Sequence, residues 1–75
     1  MDLRQLKYFI AIAQSGSMAS AAQSLGVAQP SLSQQMKQLE AELSVELLVR
    51  SARGVQLTEA GQVLLRHARS ITGAV

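Results

Sequence analysis

A chain of 75 residues with no cysteine forms at most one domain, and it has neither a disulfide framework nor thiolate metal ligands to support its small core. Its composition is 48% hydrophobic, with one Phe, one Tyr and no Trp, which suits packed helices of Leu, Ile, Val, Met and Ala. The net charge of +2 is too small by itself to demand a polyanionic partner. The longest apolar run, Tyr8–Ala13, falls far short of the roughly 20 residues of a membrane span. The N-terminus lacks the layout of a secretory signal, so a cytoplasmic location and no membrane partner are expected.

Asp2 followed three residues later by Gln5 is a capping-box pattern. Leu3, Leu6, Phe9, Ile10 and Ala13 then recur at helical spacing and predict a first helix over about 3–14. Tyr8 and Ile12 lie on another side of it, where the last helix or another subunit is expected to cover them. Ser15-Gly16 ends this helix, and Ser17 caps a short second one over Met18–Leu25. Gly26 closes that helix because glycine enters the left-handed region without a Cβ clash. Pro30 marks the first turn of a third helix, which runs to Glu42 or Leu43 with Leu32, Met36, Leu39 and Leu43 expected inward.

The period then changes. Leu47–Arg50 and Val55–Leu57, separated by Ser51-Ala52-Arg53-Gly54, predict a small hairpin with Gly54 at its turn. Thr58 caps a final helix with Glu59 in its first turn. Along it Leu57, Gly61, Leu64, Ala68, Ile71 and Val75 alternate in steps of four and three, the seam of a helix that pairs with another. Leu64, Ala68, Ile71 and Val75 are therefore the expected dimerisation residues. The pattern is still running at the last residue, which leads us to expect a piece of a longer molecule.

Ala22 and Gly26 are the small residues a steep crossing of two helices needs, and Leu25, Val27 and Leu32 bracket the turn. This is helix-turn-helix geometry, whose use is to set the second helix into the major groove. The exposed face of that helix carries Gln29, Pro30, Ser33, Gln34 and Lys37. Glutamine can read adenine bidentately, serine bonds bases or phosphate, and lysine finds phosphate or guanine. Gln35 and Gln38 point away from this face and are expected to be merely solvated. Arg53 at the hairpin tip can reach phosphate or a narrow minor groove. Arg50 either contacts DNA or pairs with a carboxylate such as Glu46. From Tyr8 to Met36 there is no charged residue at all, and Leu47–Thr58 has Arg50 and Arg53 without an acid. A polyanion approaching these stretches meets no carboxylate along them.

Several segments together resemble the N-terminal domain of LysR-type transcriptional regulators. They are Leu3-Arg4-Gln5-Leu6-Lys7-Tyr8-Phe9, Ser17-Met18-Ala19-Ser20-Ala21-Ala22, Gln29-Pro30-Ser31-Leu32-Ser33, Leu39-Glu40, Leu47-Leu48-Val49-Arg50 and Leu57-Thr58-Glu59-Ala60-Gly61. The resemblance covers the chain in register. It implies a mainly α fold: a winged helix-turn-helix built from a three-helix bundle and a two-stranded wing over 1–57, then a linker and dimerisation helix over 58–75. It places Gln29, Pro30, Ser31, Ser33 and Gln34 on the recognition helix and Arg53 on the wing. It also implies a homodimer on double-stranded, pseudo-palindromic operator DNA, and a small-molecule effector bound by a domain outside this chain. Gln34 stands where the family often has Arg, Ala28 where it often has Ser or Thr, and Ser44 where Gly is common.

Catalysis is not expected. His67 is the only histidine, and no carboxylate pair, nucleophile arrangement, metal-ligand cluster or cofactor motif lies near it. The rival reading is a helical dimerisation module that binds no DNA, which shares the final seam but leaves Gln29, Ser33 and Arg53 without a purpose.

Overall fold

Asp2 and Gln5 exchange hydrogen bonds, the Gln5 N–H donating to the Asp2 carboxylate at 2.8 Å and the Asp2 N–H to the Gln5 side-chain oxygen at 3.3 Å. This capping box starts α1, Leu3–Ser15. The computed structural model describes residues 1–73; the remaining elements are α2 (Met18–Leu25), α3 (Gln29–Leu43), β1 (Leu48–Ser51), β2 (Gly54–Leu57) and α4 (Glu59–Thr72). Val75 lies outside the described residues.

Each boundary has a local cause. Ser17 accepts from the Ser20 N–H at 3.2 Å and opens α2. At its other end Gly26 stands at φ 71°, and the Val27 N–H turns back to the Ala22 carbonyl at 3.0 Å. This satisfies a carbonyl that the end of the helix would leave unpaired. The third helix starts at Ala28 without a side-chain cap. It ends at Ser44, the one non-glycine residue at positive φ (57°) among those described. Thr58 accepts from the Gly61 N–H at 3.0 Å and opens α4.

The strands pair antiparallel in the register Leu48↔Leu57, Val49↔Gln56, Arg50↔Val55 and Ser51↔Gly54. Their base is tied to α3 by Glu40, whose carboxylate accepts from the Leu47 and Leu48 N–H groups at 2.7 and 3.2 Å.

The main core is Phe9 and Ile12 from α1, Met18, Ala21 and Ala22 from α2, Leu32, Met36 and Leu39 from α3, and Leu47. Burial of each large apolar side chain contributes roughly 1.5–3 kcal/mol, so this cluster sets the angle at which α3 leaves the turn. Ile12 needs no other subunit, because the chain's own core encloses it, and Tyr8 is half-buried beside it. Leu43, expected inward, is instead exposed at the end of its helix. The chain turns away at Ser44 immediately beyond it, which leaves the side chain 37% exposed.

A second cluster joins α4 to α1. Leu6, Ile10 and Ala68 are buried there, with Leu64 and Leu65 against them. This corrects the expected seam: Ala68 is 0% exposed inside the chain and is not open to a partner. The steps of four and three do mark a helix–helix contact, but at Leu64 and Ala68 the facing helix is α1. Ile71, at 63% exposure, lies beyond that contact. Gly61, read as a seam position, is a point of close approach. A Cβ there would stand 2.3 Å from the Leu47 carbonyl oxygen.

Candidate nucleic-acid interface

The helices α2 and α3 pack together in the core, where Ala21 and Ala22 of α2 are both buried with Leu32, Met36 and Leu39 of α3. This packing leaves Gln29, Pro30, Ser31, Gln34 and Lys37 exposed on α3, with Ser33 half-buried among them. The first turns of the helix therefore offer two amides, two hydroxyls and an ammonium to a groove. Lys37 has no side-chain partner among the described residues, so its charge is available.

Ser33 is not free. Its hydroxyl oxygen accepts a hydrogen bond from the Arg50 guanidinium across from β1. The alternative pairing with Glu46 is not formed, and the only ion pair among the described residues joins the Met1 amino group to Glu42. Arg50 thus touches α3 with no carboxylate against it among the described residues. Beside it lies a groove of about 210 Å³, lined by Ser17, Ala19, Gln29, Arg50, Ser51 and Val55 among others. The groove brings the start of α2, the start of α3 and the wing to one place.

Arg53 sits exposed at the hairpin tip, where its backbone N–H donates to the Ser51 hydroxyl at 3.2 Å. The tip is held from behind, because the Val55 N–H donates to the Gly16 carbonyl at 2.9 Å. Gly54, at φ 112°, approaches that carbonyl so closely that a Cβ would stand 2.4 Å from its oxygen. The sequence marks Gly16 as a helix end and Gly54 as a turn residue, but not that the two turns meet. No spacing rule links residues so far apart in the chain.

Gln35 is another correction. It is half-buried and accepts from the Gln5 side-chain amide at 3.0 Å, and Gln5 itself is 6% exposed. A solvated surface role fits Gln38, which is exposed, but not Gln35.

Charge is distributed in favour of an anion at the α3 N-terminus. Glu42 lies 13 residues beyond Gln29, about 20 Å along the helix axis. Glu40, at that same far end, is occupied by backbone donors of the wing base.

A bundle of three helices with a two-stranded wing and an exposed second helix of the helix-turn-helix defines the winged helix-turn-helix class of DNA-binding domains. The chain belongs to the LysR family: residues 3–62 match the family of bacterial regulatory helix-turn-helix proteins, lysR family. The HTH-type transcriptional regulator TcbR of Pseudomonas sp. (strain P51) is 56% identical over 71 residues, covering 95% of this chain and 24% of its own length. The HTH-type transcriptional regulator AlsR of Bacillus subtilis (strain 168) is 52% identical over 69 residues, covering 92% of this chain and 23% of its own. The crystal structure of a CbnR DBD–DNA complex superposes with a TM-score of 0.94 at 55% identity, over 97% of this chain and 84% of that one. A BenM DBD/catB site 1 DNA complex superposes equally well, at 0.94 and 40% identity, over 97% of this chain and 82% of that one. These relatives are regulators and not enzymes. The chain spans about a quarter of the length of each of these two curated relatives.

Proposed function

We propose that this chain is the DNA-reading domain of a bacterial transcriptional regulator and binds double-stranded operator DNA sequence-specifically. The observation that carries this reading is the match, over 97% of the chain at 55% identity, to a domain solved on DNA. In this reading the first turns of α3 lie in the major groove. Gln29, Ser33 and Gln34 face base edges there, Pro30 and Ser31 fit the groove wall, and Lys37 takes a phosphate. Arg53 reaches the flanking backbone or minor groove, and Arg50 supports the recognition helix from the wing.

The complete regulator is proposed to act in the cytoplasm as a homodimer on a pseudo-palindromic site, with a small-molecule effector bound by a domain outside this chain. Residues 58–75 serve as its linker and dimerisation helix. Since Leu64 and Ala68 are engaged with α1, the pairing face is argued from exposed Ile71 and Val63.

The test is a titration of a labelled operator duplex, and of a scrambled one, at two salt concentrations. Binding through several phosphates gives an affinity that falls steeply with salt, and base reading gives a clear preference for the operator. Absence of any complex at low salt would overturn the reading.

A further inference from the structure

The Arg50–Ser33 contact suggests more than support. Resting on the DNA reading above, we propose that Arg50 is a positioning residue that makes Ser33 a hydrogen-bond donor only, so the pair selects a guanine at the base it faces. A serine hydroxyl carries one proton and two acceptor lone pairs, and a guanidinium carries five donors and no acceptor. In the structure the Ser33 oxygen already accepts from Arg50. The positive fork beside that oxygen repels any further N–H that would donate to it. The second lone pair lies in the field of that cation, so the hydroxyl's own proton is the group left best suited to bond a further partner.

The guanidinium keeps its remaining N–H groups, and no carboxylate among the described residues neutralises it. Ser33 stands one helical turn beyond Gln29 on the same face, and Gln29 and Arg50 line the same groove. The pair therefore presents a cluster of donors next to the proposed glutamine reader. In the major groove guanine shows two acceptors, N7 and O6. Adenine mixes an acceptor with a donor, thymine has a single acceptor beside a methyl group, and cytosine shows a donor. A donor-only surface fits guanine best and cytosine worst. Serine alone, free to rotate its proton, would make no such distinction.

The experiment is a selection of bound duplexes from a random pool by the wild-type chain, Ser33→Ala, Arg50→Gln and the double variant. It is followed by affinities on duplexes differing only at the position that Ser33→Ala affects, with thermal melting to confirm that each variant is folded. The expected wild-type preference is roughly tenfold for guanine over cytosine there. Each single variant loses it and the double variant loses no more, because the two side chains act as one unit. Preferences at the positions read by Gln29 persist.

Three results would overturn the proposal. One is an Arg50→Gln variant that binds every sequence more weakly with the preference intact, which would make Arg50 a phosphate anchor only. Another is a wild-type preference for adenine or cytosine at the Ser33 position. The third is additive losses in the double variant. A wild-type chain that enriches no sequence would instead overturn the DNA reading itself, and this is seen before any variant is compared.

Discussion

The Gly16 carbonyl accepts a hydrogen bond from the Val55 N–H at 2.9 Å, which fastens the wing to the turn between α1 and α2. The backbones meet so closely because Gly54, beside Val55, carries no side chain. This makes the glycine a sensitive point for both stability and binding.

Gly54→Ala places a Cβ 2.4 Å from the Gly16 oxygen in a backbone at φ 112°. Both the clash and the disfavoured conformation act against folding, by about 1–3 kcal/mol for the backbone alone. Urea denaturation should show a clearly lower midpoint, and the displaced wing should weaken binding on all duplexes. A midpoint equal to wild type would mean that the two turns are not in contact.

Gly61→Ala tests a reversal of sign. In an exposed helix interior alanine is more favourable than glycine by about 1 kcal/mol. Here the added Cβ would stand 2.3 Å from the Leu47 oxygen, an atom of the backbone. The steric term wins, and the variant is expected to melt lower than wild type. A higher melting temperature would show that α4 can move away from Leu47 at little cost.

Ser44→Gly should stabilise the chain. A non-glycine residue in the left-handed region costs roughly 1–2 kcal/mol, against about 0.4–1 kcal/mol of extra unfolded-state entropy for glycine. With Ser44 at φ 57° the balance favours glycine by about 0.5–1 kcal/mol, read as a rise in the thermal midpoint with DNA affinity unchanged.

Gln29→Ala and Arg53→Ala are expected to separate reading from anchoring. Gln29→Ala should weaken the operator complex by roughly 1–3 kcal/mol and leave random DNA almost unaffected. Arg53→Ala should lower affinity on every sequence and reduce the salt slope by about one. Equal loss on random DNA for the first variant, or an unchanged slope for the second, would contradict the assigned roles.

Local chemistry made much of this fold legible in the sequence. Asp2 with Gln5, Ser17, Gly26, Pro30 and Thr58 mark helix ends because caps act within a few residues of the chain. The Ala22–Gly26 pair marks the crossing for the same reason. Contacts between distant residues were less accessible. The spacing of Leu64 and Ala68 shows that their face meets a helix, but periodicity carries no information on whether that helix is α1 or a second copy. Arg50 reads as a DNA contact or as an ion-pair member; the ion pair is not formed, and the side chain donates to Ser33, a neutral hydroxyl 17 residues away. The burial of Gln35 is not legible in the sequence, because an uncharged amide suits surface and interior alike and its partner Gln5 lies on another helix.

Glu40 joins the far end of α3 to the root of the wing through the Leu47 and Leu48 N–H groups. With Gly16 holding the hairpin from the other side, recognition helix and hairpin behave as the two fixed jaws of a caliper. In the proposed reading, the span between a base contact on α3 and an Arg53 contact is then set before DNA arrives. A duplex whose groove width already matches that span is accepted as it stands, while a stiffer or wider one has to bend. Base pairs touched by neither jaw would thereby influence affinity through their deformability alone.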